Sequence, residues 1–137
     1  MKALWLGAVM VAAATGLMPM AHAADPTDAQ IDAAFRKADP DNDGTVDRNE
    51  ARKFGITRAA FDHANPDKDE TLDKKEFLAA VTWQFNQANP DNDGTLDRKE
   101  AQKAGIKSRK TFDAANPDKD GTLDPAEYLD ALRRQAK

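Results

Sequence analysis

The sequence predicts an all-α protein made of four helix–loop–helix units, with short β contacts between paired loops. An acidic segment with one residue order occurs four times, at residues 39–50, 65–76, 89–100 and 116–127, and such a regular recurrence indicates repeated structural units. The stretches between these segments place apolar residues at helical spacing. In addition, the stretch 39–81 matches 89–132 with one inserted residue, which indicates a doubled pair of units. The four acidic segments are called loops 1 to 4 below.

The helix before loop 1 has a clear predicted start. Thr27 and Gln30 have the spacing of a capping box, and Ile31, Ala34 and Phe35 follow on one helical face. A phenylalanine also stands four residues before every loop, where it is predicted to anchor the core. These phenylalanines are Phe35, Phe61, Phe85 and Phe112.

The connections between loops are of two kinds. Gly55 and Gly105 are predicted to end the helices that leave loops 1 and 3, and Thr57 and Ser108 are predicted to cap the next helices. The connection between loops 2 and 3 has no such break, so residues 73–88 are predicted to form one helix about 22 Å long. Loops 2 and 3 would then lie at opposite ends of this helix.

The N-terminal residues have the pattern of a secretory signal peptide. Lys2 is followed by an apolar stretch that runs to about Met18, and Ala21-His22-Ala23 has the small residues of a cleavage site. We therefore expect residues 1–23 to be removed and residues 24–137 to form the secreted protein, in a bacterial periplasm. The apolar stretch, at roughly 15 residues, is short for a membrane span, and we expect no membrane contact after cleavage.

Composition excludes several classes of protein. The chain has no cysteine, which rules out disulfides and thiolate metal sites. Its formal charge is −4 and its acidic residues are concentrated in the loops, which argues against a nucleic-acid partner. After position 23 there are only 17 Leu, Ile, Val and Phe residues, a share below the roughly 20 per cent typical of folded chains. We therefore expect a thin core that needs additional stabilisation.

The acidic loops have the ligand pattern of a site for a hard cation. Such an ion takes about six to eight oxygen ligands, and a loop of about 12 residues supplies them from positions 1, 3, 5, 7, 9 and 12, with a backbone carbonyl at position 7. Each loop carries a suitable residue at every one of these positions. The predicted ligands are Asp39, Asp41, Asp43, Thr45, Asp47 and Glu50 in loop 1; Asn65, Asp67, Asp69, Thr71, Asp73 and Glu76 in loop 2; Asn89, Asp91, Asp93, Thr95, Asp97 and Glu100 in loop 3; and Asn116, Asp118, Asp120, Thr122, Asp124 and Glu127 in loop 4.

Position 6 of such a loop needs a sharp turn, which glycine makes without a steric penalty. Gly44, Gly94 and Gly121 occupy it in loops 1, 3 and 4, whereas loop 2 has Glu70. A left-handed backbone costs a residue with a Cβ atom about 1–2 kcal/mol. We therefore predict that loop 2 is the weakest site, and the sequence leaves open whether it binds a cation at all.

Position 8 of each loop is aliphatic, and it is the position at which neighbouring loops join as a short two-stranded ribbon. We predict that loop 1 pairs with loop 2 and loop 3 with loop 4. The residues concerned are Val46, Leu72, Leu96 and Leu123.

The loops and their spacing resemble the EF-hand family over nearly all of residues 24–137. Three features are more specific: a proline at position 2 of every loop, an aspartate at position 9 of every loop, and only 12 to 15 residues between neighbouring loops. Together with the signal peptide they resemble the lanmodulin family of secreted bacterial lanthanide-binding proteins. That resemblance implies Ca²⁺ or trivalent lanthanide ions as ligands, and a compact three-helix bundle as an alternative to paired loops.

The identity of the cation stays open at this point. A trivalent ion gains about half again as much Coulomb attraction from the same carboxylates as a divalent one. However, loops 2 to 4 have asparagine at position 1, which leaves four carboxylates against five in loop 1, whereas lanmodulin-like loops mostly begin with aspartate. Without a cation the crowded carboxylates repel one another, so we expect folding to be coupled to binding.

The sequence favours a buffer or carrier over other functions. The alternative is a calcium-dependent sensor or adaptor that engages a periplasmic protein partner, and such sensors expose methionine-rich grooves. All four methionines of this chain lie within residues 1–23. An enzyme is not expected, because His63 is the single histidine after the signal peptide and no nucleophile or cofactor motif accompanies it.

Overall fold

The structure, a computed structural model, describes residues 25–136, and the predicted signal peptide lies outside the described residues. In this part of the chain there are seven α-helices and four two-residue strands, as expected for an all-α protein. None of the helices between residues 25 and 136 is long and apolar enough to span a membrane. In chain order the elements are α1 (Asp28–Ala38), β1 (Val46–Asp47), α2 (Arg48–Phe54), α3 (Arg58–His63), β2 (Thr71–Leu72), α4 (Lys74–Gln87), β3 (Leu96–Asp97), α5 (Arg98–Lys103), α6 (Arg109–Ala114), β4 (Thr122–Leu123) and α7 (Pro125–Gln135).

The helices begin and end at the residues that the local chemistry selects. The Thr27 hydroxyl accepts a hydrogen bond from the backbone of Gln30, whose side chain returns one to Thr27. Gly55 ends α2 in the left-handed region at φ 113°, which glycine reaches without strain. Thr57 and Ser108 cap α3 and α6. The predicted caps Thr27, Gly55, Thr57 and Ser108 are therefore confirmed, whereas the helix that leaves loop 3 has Ala104 as its C-cap, one residue before Gly105.

Helix α4 connects loop 2 directly to loop 3. It has 14 residues, with Asp73 as its N-cap and Ala88 as its C-cap, so it is about 21 Å long. The two loops lie at opposite ends of it, as predicted.

The loops pair through the short strands. Strand β1 runs antiparallel to β2 with Val46 opposite Leu72, and β3 runs antiparallel to β4 with Leu96 opposite Leu123. All four side chains are fully buried. The structure therefore confirms that loop 1 pairs with loop 2 and loop 3 with loop 4.

The two pairs share one core, because the first and last helices, α1 and α7, pack against each other. Phe77 of α4 makes edge-on contacts with Phe35 and Phe54, at centroid distances of 5.4 and 5.2 Å. Much of the remaining core is alanine, which allows helices to approach closely, and this compensates for the shortage of large aliphatic residues. The four phenylalanines predicted as anchors are all buried: Phe35, Phe61, Phe85 and Phe112.

A buried glutamine on α4 joins the two pairs. Gln84 is 4% exposed, and its Oε1 accepts a hydrogen bond from Thr57 N at 2.8 Å. Its Nε2 lies 2.8 Å from Gly55 O, 2.8 Å from Tyr128 Oη and 2.9 Å from Ala104 O. Because an amide nitrogen has two hydrogens and Tyr128 Oη itself donates to Ala104 O at 2.7 Å, every partner in this network is satisfied.

The second pair repeats half of this network. Gln135 on α7 donates from Nε2 to Gly105 O, and its Oε1 accepts from Lys107 N. These contacts correspond to those that Gln84 makes with Gly55 and Thr57. The internal duplication therefore extends from the loops to the buried hydrogen bonds that hold the turns between helices.

Candidate metal-binding site

Loop 1 brings three carboxylates together. Asp39, Asp41 and Asp43 each have a carboxylate oxygen within 4.8 Å of the others. Asp39 is buried, and Gly44 N donates to its Oδ2 at 2.9 Å. Thr45 N donates to Asp43 Oδ1 at 2.9 Å, so the turn of the loop itself orients two of the three side chains toward a common centre.

This crowding shifts the pKa values of two carboxyls in opposite directions. A hydrogen bond to Asp39 and then burial raise the pKa of Asp41 above its usual range. Burial acts in the same direction on Asp39, but hydrogen bonds from Gly44 N–H, the Asp41 carboxyl and Asp43 outweigh it and lower the pKa of Asp39. The two groups therefore compete for one proton, which a bound cation would displace.

The turn is repeated in the other loops. At position 5 the aspartate Oδ1 accepts hydrogen bonds from the backbone N–H and the hydroxyl of the threonine at position 7, at distances between 2.9 and 3.2 Å. The pairs are Asp69 with Thr71, Asp93 with Thr95, and Asp120 with Thr122. All four loops thus have one backbone design.

Position 4 of each loop has a left-handed backbone that the sequence analysis missed. The φ angles lie between 56° and 61°. Asparagine tolerates this region better than most residues, so Asn42 and Asn92 were a usable signal, whereas the two lysines offered none. The residues are Asn42, Lys68, Asn92 and Lys119.

Position 6 has the conformation expected from its sequence. Gly44, Gly94 and Gly121 have φ angles of 87°, 85° and 84°, and Glu70 has a φ of 69°. The Glu70 carboxylate lies 3.3 Å from Arg48 Nη2, but both side chains are exposed, so this pair compensates little for the backbone strain. Whether loop 2 binds more weakly than the others stays a prediction.

Three buried asparagines at position 1 supply the strongest indication of a cation site. Asn89 is 5% exposed, and its inward-facing amide atom lies 2.7 Å from Asp91 Oδ1, 3.1 Å from Asp93 Oδ1 and 3.0 Å from Thr95 O. When Oδ1 faces inward, this centre contains oxygen atoms alone, which is the kind of ligand set that a hard cation takes. The residues therefore fit a hard cation. Loops 2 and 4 repeat the arrangement around Asn65 and Asn116.

Positions 9 and 12 are brought together in every loop by a capping box. Asp97 is the N-cap of α5: Glu100 N donates to Asp97 Oδ1 at 2.9 Å, and Asp97 N donates to Glu100 Oε2 at 2.8 Å. One oxygen of each carboxylate is thus used by the helix end, which leaves the other available to a cation. The equivalent pairs are Asp47 with Glu50, Asp73 with Glu76, and Asp124 with Glu127.

These eight residues were predicted as ligands, and their capping role was not predicted. The spacing Asp-x-x-Glu in each loop was the available signal, since it is the pattern of a capping box before a helix. An aspartate at position 9 therefore has a local explanation within the fold, in addition to any role in binding.

Two half-buried glutamates at position 12, Glu50 and Glu127, have raised pKa values. Burial, and then the carboxylates of Asp124, Asp118 and Asp120, raise the pKa of Glu127 to about 7, although Asp124 N–H opposes the shift. Burial also raises the pKa of Glu50, with the charges of the neighbouring loop aspartates acting in the same direction. A cation that binds beside such a carboxylate stabilises its charged form more than it would stabilise that of an exposed carboxylate.

Arginine at position 10 connects the loops of each pair. The Arg48 guanidinium carbon lies 4.4 Å from the centroid of the Phe61 ring, and its Nη1 lies 2.9 Å from Asp62 Oδ1. It therefore joins the end of loop 1 to the helix that enters loop 2. The same contacts recur in the second pair between Arg98, Phe112 and Asp113.

His63 and Trp83 form a stacked aromatic pair away from the ligand positions. Their rings stack with centroids 5.1 Å apart. His63 is exposed near the end of α3, as expected, and Trp83 is half-buried. Neither residue takes part in the loop contacts described above.

Comparisons with known proteins identify a family match and similar solved structures. A search of curated proteins gives no match. Among solved structures, a homologue of programmed cell death 6 protein from Leishmania major Friedlin is 18% identical, with 72% of this chain and 68% of that chain covered and a TM-score of 0.32. A calcium-binding protein from Streptomyces coelicolor is 19% identical, with 79% and 96% covered and a TM-score of 0.37. The family model described as EF hand matches residues 31–54, the part of the chain that comprises most of α1, loop 1 and α2.

Proposed function

We propose that this protein binds Ca²⁺ or a similar hard cation reversibly in its four loops. The observation that carries the proposal is the centre of loop 3, where a buried asparagine, two aspartates and a threonine carbonyl meet within hydrogen-bonding distance. The match of residues 31–54 to the EF-hand family model supports the same function for loop 1. A bound cation would supply the positive charge that these convergent oxygens lack.

The proposal assigns each ligand position a role. Positions 1, 3, 5 and 7 would form one hemisphere, and this is supported by the short distances from the position-1 amide to oxygens at positions 3, 5 and 7 in loops 2 to 4. Positions 9 and 12 would close it from the start of the following helix, with the capped glutamate as the last ligand. Because the carboxylates repel one another without a cation, binding is expected to increase helix content and stability.

Calcium is the first candidate cation, and lanthanides the second. The loops hold four or five carboxylates each, which suits either charge. Asparagine at position 1 of three loops reduces the advantage of a trivalent ion. We therefore propose that the loops bind calcium, and titration with a lanthanide tests this preference. We also propose that the protein is exported, because residues 1–23 resemble a signal peptide.

We favour a non-catalytic buffer or carrier over a calcium-dependent adaptor. The reason is compositional, since no methionine follows residue 20 and promiscuous binding grooves depend on methionine. A hydrophobic dye would separate the two functions. Calcium-dependent dye binding with capture of a periplasmic protein would favour the adaptor, and neither is expected for a buffer.

The decisive experiment is calorimetric titration of the chain from Ala24 with Ca²⁺ and La³⁺, followed in parallel by circular dichroism. We expect saturable binding with a gain of helix content. The variant E100Q/E127Q should lose the two sites of the second pair, because each glutamine removes the last carboxylate of its loop. The control D25N/D28N removes the same charge from exposed positions outside the loops and should bind normally. Absence of binding to the unmodified chain would overturn the proposal.

A further inference from the structure

The amide of the asparagine at position 1 has hydrogen-bond partners when its nitrogen, and not its oxygen, faces the centre of the loop. With Nδ2 inward, Asn89 donates toward Asp91 Oδ1 at 2.7 Å, Thr95 O at 3.0 Å and Asp93 Oδ1 at 3.1 Å, while its Oδ1 accepts from Gly94 N at 3.2 Å. Asn116 in loop 4 makes the equivalent contacts, including one from Gly121 N at 3.2 Å. Each of these amides is buried, so water is a poor substitute for these partners.

One orientation of the amide suits a loop that holds a cation, and the other suits an empty loop. An amide presents two N–H donors on one side and a carbonyl oxygen on the other. When the centre holds a cation, the oxygen must face it. When the centre is empty, three oxygens converge without a donor, and the nitrogen satisfies them by a half-turn of the amide about its last torsion. The same side chain can therefore be a ligand or a substitute for the missing cation.

We infer that Asn65, Asn89 and Asn116 are internal switches that replace the cation in the metal-free loop. This inference rests on the proposed function and deepens it. The amide nitrogen holds positions 3, 5 and 7 together until a cation arrives, and it turns outward as the oxygen becomes a ligand. In metal-free loops 2 to 4 this donor therefore offsets part of the repulsion between the carboxylates, and a cation must displace it, which lowers affinity and promotes release.

Loop 1 lacks the switch. Asp39 has no donor to offer, and its hydrogen bonds come from Gly44 N and Asp43 N. The three carboxylates of this loop face one another. Loop 1 is consequently the site that depends most on a cation for its closure. Loop 2 is intermediate. The Asn65 nitrogen has its contacts at the centre of the loop, but its oxygen does not accept a hydrogen bond from the backbone N–H at position 6.

Nuclear magnetic resonance of the side-chain amides tests the switch in the unmodified protein. With chelator present, the Nδ2 hydrogens of Asn89 and Asn116 should be shifted downfield and slow to exchange with water. Saturating Ca²⁺ should reverse both properties. Unchanged side-chain amide resonances, together with a calcium-dependent shift of the Gly94 backbone amide, would show that a cation binds without any rotation and would overturn the inference.

Two substitutions that add the same charge to loop 3 provide an independent test. N89D removes the donor, whereas N92D changes an exposed residue at position 4. We expect N89D to lower the melting temperature in chelator by about 5 °C and to tighten calcium binding about tenfold, with small effects from N92D. D39N in loop 1 introduces a donor, so it should raise the melting temperature in chelator and weaken calcium binding.

The outcomes separate the inference from the proposed function. Equal melting temperatures of N89D and N92D in chelator, with calcium binding intact, would overturn the switch alone. Failure of the unmodified chain to bind Ca²⁺ or La³⁺ would overturn both, since the inward nitrogen would then be a permanent structural contact.

Discussion

The side-chain amide nitrogen of Gln84 lies 2.8 Å from the carbonyl oxygen of Gly55, 29 residues earlier in the chain. The same side chain accepts a hydrogen bond from Thr57 N and reaches Tyr128 of the second pair. A single buried residue on α4 therefore holds the turn that follows loop 1 and joins it to the last helix.

Replacing Gln84 should destabilise the fold more than replacing its counterpart. Q84M keeps the size of the side chain but leaves the part-buried Thr57 N and Gly55 O without their partner, which should cost about 3 kcal/mol. Q135M makes the same change at the half-buried equivalent near the chain end and should cost about 1 kcal/mol. Urea denaturation in the presence of calcium measures both. Equal losses would contradict the central role of Gln84.

Replacing Glu70 with glycine should strengthen loop 2. Glu70 has a φ of 69°, and removal of its Cβ relieves about 1–2 kcal/mol of strain, while the exposed pair with Arg48 contributes little. We expect E70G to raise stability by about 1 kcal/mol and to tighten binding at loop 2, as followed by site-resolved calcium titration.

The reciprocal change provides the control. Gly121 has the same left-handed backbone in loop 4, and a Cβ there would meet no atom within 4 Å. G121E should therefore weaken loop 4 through backbone strain alone. If E70G and G121E leave both loops unchanged, residue 6 does not limit binding.

The capping role of Asp97 is separable from its role as a ligand. D97S keeps a side chain that caps helices as well as aspartate does, whereas D97A removes the cap at a cost of about 1 kcal/mol. In chelator, D97A should therefore unfold at lower urea concentration than the parent, and D97S should not. Both should weaken calcium binding at loop 3. Equal stability of D97A and D97S in chelator would mean that the cap contributes nothing.

Glu127 should make the metal-free protein sensitive to pH. Its pKa is about 7 in the folded protein against an ordinary value of 4.5, so the folded state binds a proton that the unfolded state releases. This raised pKa stabilises the fold below about pH 4.5. The contribution is lost as the pH rises through the folded value near 7.

Thermal unfolding in chelator between pH 4.5 and 7.5 tests this assignment. Relative to E127Q, the parent should become progressively less stable across that range. Calcium should also displace the proton, so binding at pH 6 should be weaker than at pH 8 and should release protons into the buffer. Parallel pH profiles of the parent and E127Q would contradict the assignment.

The fold and the candidate ligands follow from local features of the sequence. A repeated order of acids, a glycine at position 6 and a phenylalanine four residues before each loop act over about a dozen residues. Helix caps and left-handed turns are decided over even shorter distances. This is why the loop boundaries, the pairing of loops and the strained backbone of Glu70 could be predicted from the sequence.

Other features depended on residues that are distant in the chain. The contacts of Gln84 with Gly55 and Tyr128, and of Arg48 with Asp62, join segments whose relative placement no local pattern specifies. The capping boxes were readable from the sequence but were hidden by the stronger ligand pattern that shares the same residues. The amide of Asn89 could be recognised as a potential donor only after the structure placed three oxygens around it.

The sequence by itself therefore determined which residues are candidate ligands, because ligand spacing and turn chemistry are encoded within each loop. The tertiary structure decided how the two pairs share a core and which polar groups are buried. Burial is the physical reason for the difference, since it depends on all the helices that pack around a group.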